Sequence, residues 1–401
     1  MALNTTIQVG DGALTPYALQ EAIGAYTDEA YTDARKLSGT ELVSGNPNIE
    51  VDGETYIGQM RWFKPLNPEI NTASLTNRTD GTKTTYGSEY LRYVKTVRTH
   101  GAEKVNLSKV ISQKDGLAKV GRDFGQTRSL DEHNSILAVL RGVMVSEVLY
   151  GLGEAGGGTG NGGQTFNNDP EDKTYGFYVD LGANTVIATA AAATQGAQRA
   201  EAILNAFGMA YKDYEPEYAY LVTSPEVMAS FRSANLVDQD RVTDGNMDFQ
   251  TIFNGKFRLI STRATQGLSA TEITKLNSHA TAAPQLQANA KTTFLVLPGS
   301  VAMVDIPIEE DVEIDRKAAA FQGGGTTEIW YRWGYVAHPA GYNWTGAEDA
   351  FPNRADYQAA KQGATPGLVT ALTTGLVGAT GVWERKAQSA LSLGILPIFH
   401  N

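Results

Sequence analysis

The sequence predicts a mixed α+β fold, because one long helical pattern lies between segments with strand-like alternation. Ser129 and Glu132 have capping-box spacing, and Gly151 and Gly153 end the pattern, which predicts a helix over about residues 130–150. Such a helix is on the order of 30 Å long, and we expect the other elements to be arranged along it. The residues predicted to face inward are Leu130, Ile136, Leu137, Leu140, Val143, Met144, Val148 and Leu149.

The composition is that of a folded protein and restricts the function. The chain has 401 residues, 42% hydrophobic and 19% charged, with a net charge of −11 and no cysteine. The negative charge argues against wrapping nucleic acid with the whole surface, although a local basic patch remains open. The lack of cysteine excludes disulfides, thiolate metal sites and a cysteine nucleophile. No apolar run reaches the ~18 residues of a membrane span, and no signal peptide is recognisable, so no membrane partner is expected.

Residues 46–99 predict a long two-stranded arm. The strand-like runs IEVDGETYIGQMRWF and YLRYVKTVRTH flank a polar tract, in which Asp80-Gly81 is a hairpin turn signal. The tip has few apolar residues and cannot form a core of its own. We therefore expect a neighbouring molecule to order this arm.

The other elements follow from caps, turn pairs and alternation. Thr15 and Pro16 begin a first helix that Gly39 ends, and a short helix over 107–120 precedes the long helix. The rest of the chain predicts a strand over 175–181, an alanine-rich helix over 195–211 with Ala200, Ile203, Leu204 and Phe207 inward, a strand over 217–223, a helix over 226–233 capped by Ser224, a hairpin on Asn254-Gly255, a loop over 264–290, two strands within 293–304, an acidic strand over 306–315, a strand over 328–338 and a final apolar segment over 391–399.

For the motifs that resemble known functional motifs, a structural role is the favoured interpretation. The GxGxxG that begins at Gly151 follows a helix, whereas a dinucleotide site needs it between a strand and a helix. Asp244 to Asp248 begins like a calcium loop but lacks its later glycine and glutamate, which favours a turn. Five scattered histidines show no metal-ligand spacing, and no nucleophile-elbow motif is present. We predict that the chain is not an enzyme and has no catalytic, cofactor-binding or metal-binding residues.

The acidic strand has two interpretations. Its carboxylates are a possible cation site, or they form an exposed face that meets Arg or Lys of another strand or subunit, which is the favoured interpretation. The residues concerned are Glu309, Glu310, Asp311, Glu313 and Asp315.

The order of these stretches resembles the major capsid proteins of tailed bacteriophages, which have the Hong Kong 97 fold. EYAYLVTSPEVMASFRSANL and NGKFRLIST resemble the family's axial-domain strand, helix and hairpin, and TTFLVLPGSVAMV and TEIWYRWGYVAHPAGYNW resemble its returning strands. VNLSKVISQKDGLAKVGRDFGQ before the long helix and VWERKAQSALSLGILPIFHN at the end resemble the marine and environmental phage branch. The order of the stretches, more than any single motif, carries the resemblance.

The resemblance implies an α+β fold with a peripheral domain, an axial domain, a long spine helix and an extended β-hairpin arm. The implied division is an N-terminal segment and first helix over 1–45, the arm over 46–99, the peripheral domain over 100–179 with the spine helix at about 130–150, the axial domain over 180–300, the return strands over 301–345 and a C-terminal extension over 346–401. We expect the extension to be an added strand or surface segment that attaches to the peripheral domain or to a neighbour.

The resemblance further implies an icosahedral shell of hexamers and pentamers around double-stranded DNA, held without sequence-specific binding. The expected partners are other copies, a separate scaffolding protein, a portal and a decoration protein, and the expected location is the virion capsid, assembled in the host bacterial cytoplasm. An encapsulin-like compartment shell and an α+β metabolic enzyme are the alternatives. The candidate contacts between copies are Arg61, Trp62, Lys64, Arg78, Asp80, Lys83, Glu309, Glu310, Asp311 and Gly324.

Overall fold

The fold is mixed α+β, as the sequence predicts, in a computed structural model of the chain. The structure describes residues 16–45, 49, 51, 55–63, 88–105, 117–153, 177–180, 191–211, 216–245, 247–263, 268–279, 291–317, 319–320, 325–362, 368–369, 379–386 and 393–400. Its α-helices are α1 (Pro16–Ala34), α2 (Leu117–Gly153), α3 (Ala192–Ala210), α4 (Pro225–Ser233), α5 (Ala270–His279) and α6 (Arg354–Tyr357).

The strands form four sheets among the described residues. They are β1 (Val43–Ser44), β2 (Ile57–Phe63), β3 (Ser88–Val105), β4 (Val179–Asp180), β5 (Ala219–Thr223), β6 (Val237–Asp244), β7 (Met247–Ile252), β8 (Phe257–Ser261), β9 (Lys291–Val296), β10 (Val301–Ile306), β11 (Val312–Lys317), β12 (Thr326–Pro339), β13 (Tyr342–Trp344), β14 (Ala360–Gln362), β15 (Leu368–Val369), β16 (Ala379–Gly381), β17 (Trp383–Arg385) and β18 (Ile395–His400). The strand orders are β4-β18-β9-β5-β8-β7-β6, β1-β10-β12-β3-β2 with β11 on β12, β15-β14-β16, and β13-β17.

The chain divides into two compact units. The first comprises residues 1–36, 97–132 and 306–334, and the second comprises 37–96, 133–305 and 335–401. No structural observation tests the domain boundaries implied by the resemblance, and they stay predictions.

Helix pairing organises the first unit. A Cβ at Gly125 of α2 would lie 2.4 Å from the carbonyl oxygen of Thr27 in α1, so only glycine allows this approach. Beside this contact the Tyr31 hydroxyl donates to Glu132 at 2.8 Å, and the Arg128 guanidinium lies over the Tyr31 ring. The rings of Phe124, Tyr331 and Trp333 stack in series, with centroid distances of 5.6 and 5.3 Å.

The second unit is built on the seven-stranded sheet. β5 is its buried centre, parallel to β8 and antiparallel to β9. Ser224 caps α4 by accepting a hydrogen bond from the amide of Val227, as its position before Pro225 predicts. The predicted hairpin on Asn254-Gly255 is also confirmed, since both residues have positive φ between β7 and β8.

The long helix begins earlier than predicted. The helix starts at Leu117, so residues 117–120 belong to it and not to the separate short helix predicted over 107–120. The predicted capping box at Ser129 and Glu132 is also wrong, because both residues lie inside the helix. Residues 106–116 lie outside the described ranges. The Ser129 hydroxyl donates to the carbonyl of Ala34 at 2.5 Å, and Glu132 accepts from Tyr31. The apparent cap is therefore a pair of tertiary contacts inside the helix.

Burial along α2 also differs from a single inward face. Leu130 is 47% exposed, whereas Val139 and Val145, outside the predicted set, are fully buried. The other seven residues predicted to face inward are buried. In α3 the same correction applies to Leu204, which is 37% exposed. The helix over 135–149 is thus packed around most of its circumference.

Two further predictions are corrected. The predicted loop over 264–290 contains α5, which Ser269 and Glu272 cap reciprocally and which buries Ile273 and Leu276. Of the predicted acidic strand over 306–315, only Ile306 and residues 312–315 lie in strands, at the end of β10 and in β11, and a turn at Glu309 and Glu310 separates them. In the C-terminal extension, β18 is a buried strand between β9 and β4 of the seven-stranded sheet, and β17 pairs with β13. None of the described helices is long and apolar enough to cross a membrane.

Candidate assembly surfaces

The base of the predicted arm is a two-stranded ladder in the second unit. β2 and β3 pair antiparallel from Ile57↔Val94 to Phe63↔Ser88. Met60 and Leu91 lie opposite each other on the buried side, where the Tyr93 ring occupies the space a side chain at Gly58 would need. Arg61 and Tyr90 are opposite each other on the other side, where Arg61 is exposed and Tyr90 is 64% exposed. The ladder is therefore anchored through one face and presents a large aromatic side chain on the other.

Two more exposed aromatic residues lie near the start of β2. Tyr56 and Phe351 pack edge to face at 4.7 Å, and both remain about two-fifths exposed. The Arg92 guanidinium contacts Glu348 at 2.6 Å, and the Arg92 amide donates to the side chain of Asn343 at 2.8 Å. The segment that carries Phe351 is thus tied to β3. Exposed aromatic groups of this kind are enriched in protein interfaces.

The acidic turn belongs to the first unit, and an arginine of the same chain meets it. The backbone carbonyl oxygen of Asp311 accepts a hydrogen bond from the backbone amide of Arg332 at 2.7 Å. The Asp311 carboxylate accepts a hydrogen bond from the backbone amide of Val312 at 2.8 Å. The Arg332 guanidinium donates to the carbonyl of Glu310 and to the carboxylate of Glu313. This agrees with the favoured interpretation, an acidic face that meets Arg or Lys of another strand. Glu309, Glu310 and Asp311 are all exposed.

The structure brings only some of the predicted contact residues together. Arg61 lies on the ladder of the second unit, and the three carboxylates of the acidic turn lie in the first unit. The backbone of Trp62 pairs with Glu89, but the position of its side chain is not described. Lys64, Arg78, Asp80, Lys83 and Gly324 lie outside the described residues.

Sequence reasoning missed the exposed aromatic residues Tyr56, Tyr90 and Phe351. Tyr90 alternates with the buried Leu91 and Tyr93 along β3, so strand alternation was a usable signal for it. Phe351 had no such signal, because it follows an irregular segment after β13.

A buried polar cluster in the second unit is centred on Arg258. Its guanidinium donates to Asp244 and to the Tyr220 hydroxyl, both at 2.9 Å, and lies 3.9 Å over the Tyr218 ring. The backbone amide of Glu41 donates to both carboxylate oxygens of Asp244 at 3.2 Å. Burial, helped by a hydrogen bond to Glu41, raises the pKa of Tyr218 to about 12. Within the calcium-like motif, Asp244 thus binds Arg258, and Asp248 accepts a hydrogen bond from Thr243.

A second cluster surrounds Glu147 at the end of α2. Arg385 lies 3.4 Å from its carboxylate, which also accepts the backbone amide of Phe177 at 2.5 Å. Burial raises the pKa of Glu147, and the charge of Arg385 opposes this shift. In the described part of the chain, no three His, Asp or Glu side chains are grouped to hold a metal ion.

No protein-family model and no curated protein matches the chain. Among solved structures, the chain is similar to the capsid of Ralstonia phage GP4, with 11% identity over 80% of this chain and 88% of that one, and a TM-score of 0.43. It is similar to the acid-stable capsid of Helicobacter pylori bacteriophage KHP30, with 7% identity, 100% and 94% coverage and a TM-score of 0.43. The capsid of Cyanophage Pam1 is similar at 11% identity, 78% and 87% coverage and a TM-score of 0.40.

Proposed function

We propose that this chain is a major capsid protein that assembles into the icosahedral head shell of a tailed phage. The order of the elements carries the proposal. A first helix is followed by the β2–β3 ladder, a 37-residue helix, the α/β elements from α3 to β9 and the returning strands β10 to β12. This is the order that the resemblance of the sequence to tailed-phage capsid proteins implies.

The ladder supports self-association for a physical reason. β2 ends its strand order among the described residues, and the edge of a sheet is where a strand of another chain can pair. Its exposed face adds Tyr90 and Arg61, two residue types that often dominate binding energy at interfaces. An edge strand with such a face is better suited to contact another copy than to remain in solvent.

The proposal also includes double-stranded DNA and three protein partners. A shell of acidic subunits with a net charge of −11 each would enclose double-stranded DNA rather than bind it tightly. A separate scaffolding protein, a portal and a decoration protein complete the proposed assembly, which forms in the host bacterial cytoplasm.

Expression of the chain, with and without a candidate scaffolding protein, tests the proposal by size-exclusion chromatography and negative-stain electron microscopy. We expect capsomers or closed shells of megadalton size. A chain that stays monomeric or dimeric under both conditions would contradict the proposal. The contents of purified native particles then separate the alternatives, since a phage head holds DNA and an encapsulin-like compartment holds an enzyme.

A further inference from the structure

The outward face of β11 and β12 in the first unit carries an exposed tryptophan. Trp330 lies opposite Glu313, and Glu328 lies opposite Asp315, in the antiparallel register of the two strands. The alternate residues Val312, Ile329 and Tyr331 are buried beneath. Trp330 itself is 41% exposed. An exposed indole on an ordered strand is uncommon enough to suggest a ligand.

The neighbouring strand holds this indole in place. A Cβ built on Gly101 of β3 would lie 2.8 Å from the six-membered ring of Trp330. The ring therefore occupies the space that any side chain at Gly101 would fill. This contact fixes the ring before any partner arrives, which reduces the entropy that binding costs.

The groups around Trp330 give the face a negative charge. Four carboxylates belong to it, on Glu103, Glu313, Asp315 and Glu328, against the two cations Lys317 and Arg332. Both cations already have partners, since Lys317 contacts Glu328 at 2.5 Å and Arg332 contacts Glu313. The hydrogen bond to Glu328 raises the pKa of Lys317, and the charges of Asp315 and Glu103 add to this effect. The formal balance of the face is four negative against two positive charges.

We propose that this face, which we call the Trp330 face, binds a lysine- or arginine-bearing segment of a separate protein. A cationic side chain over the indole gains a cation–π interaction, and Asp315 and Glu103 supply opposite charge beside it. Charge complementarity selects this occupant, because the carboxylates of the face attract cationic side chains and repel nucleic acid. The inference stands whether or not the chain forms a shell.

Peptide binding to the full chain tests the contribution of the indole. The probe is a dye-labelled peptide of about ten residues that alternates lysine or arginine with glycine, and its fluorescence anisotropy reports binding at low salt. We expect Trp330→Ala and Trp330→Leu to weaken binding about 5-fold and Trp330→Phe to stay within about 2-fold, because only phenylalanine keeps a π face. The Phe and Leu variants carry the test if the alanine variant fails to fold. Equal binding by both, or no binding by the native chain, would overturn the proposal.

A matched charge series tests the carboxylates. The double variant Glu103→Gln, Asp315→Asn removes two charges from the face, and Glu29→Gln, Asp123→Asn removes two exposed charges elsewhere in the same unit. We expect the first to weaken peptide binding about 5- to 10-fold and to flatten its salt dependence, and the second to stay within about 2-fold. Equal losses would show that only net charge matters. Sedimentation of the same variants must be unchanged; a Trp330 variant that altered self-association instead would identify a second copy as the occupant and refute the proposal.

Discussion

At the scale of single residues, Asp244 is the acceptor that joins the parts of the Arg258 cluster. We expect Asp244→Asn to lower the free energy of unfolding by about 2–4 kcal/mol, because it removes the carboxylate opposite a largely buried guanidinium. Asp248→Asn is the matched control, since Asp248 lies at the other end of the same turn and is exposed, with Thr243 as its hydrogen-bond partner at 2.8 Å. Its expected cost is about 0.5 kcal/mol. Urea unfolding measures both, and equal losses would show that Asp244 has no special role.

His338 predicts a pH dependence of stability. Burial lowers its pKa to about 4 from an ordinary value of 6.5, so between these values the unfolded chain binds a proton that the folded chain does not. The histidine therefore contributes stability that is present above pH 6.5 and lost as the pH falls through 4, at most about 3 kcal/mol.

The variant His338→Phe keeps an aromatic ring against Trp383, whose centroid lies 5.6 Å away, and removes the titration. We expect urea unfolding of this variant to depend less steeply on pH between 6.5 and 4 than that of the native chain. His100→Gln, at an exposed histidine on β3, should keep the native slope. Identical slopes for the native chain and His338→Phe would assign the acid sensitivity to other groups.

At the scale of elements, two helical glycines have opposite predicted effects. Alanine normally stabilises a helix by about 1 kcal/mol over glycine. At Gly142 of α2, however, a Cβ would lie 1.9 Å from the carbonyl oxygen of Tyr357 and 2.8 Å from the indole nitrogen of Trp383. At Gly24 of α1 nothing lies within 4 Å.

We therefore expect Gly142→Ala to lower the melting temperature and Gly24→Ala to raise it, by calorimetry. The overpacked variant should cost about 1–3 kcal/mol. If both substitutions stabilised the protein, the close packing of α2 against the segment around Tyr357 would be incorrect.

Most elements could be predicted from local sequence, and the errors have physical causes. The start of α2 was missed because Gly121 and Gly125 lower helix propensity, although these glycines are what allow α1 to pack closely. The helix α5 was missed although Ser269 and Glu272 have the spacing of the cap that they form. Short-range periodicity also took the acidic stretch for one strand, since alternation alone does not show the turn at Glu309 and Glu310.

At the scale of the whole molecule, local sequence patterns could not predict which distant strands pair with each other. The last strand, β18, pairs with β9 from Ile395↔Val296 to His400↔Lys291. The sequence shows that this segment is apolar, but it does not show which strand the segment pairs with. The exposed surfaces were equally hard to predict, because Tyr90 and Trp330 look in sequence like core aromatic residues. To predict that these two side chains are exposed, one must know which face of each strand the rest of the chain covers.

The proposed shell predicts that folding and assembly are separable by mutation. Tyr90→Ser with Arg61→Ser changes only the exposed side of the ladder, so we expect unfolding to stay within about 1 kcal/mol of the native chain. Particle yield, measured by sedimentation and electron microscopy, should fall about 10-fold, because an interface aromatic can contribute 2 kcal/mol or more at each copy. Tyr90→Phe should assemble normally.

Leu140→Asp makes the opposite comparison, since it buries a charge at a fully buried position of α2. We expect it to abolish the native circular dichroism spectrum and assembly together. If the ladder variant instead lost its fold along with its particles, or formed particles at native yield, the exposed side of β2 and β3 would not be a separate assembly surface.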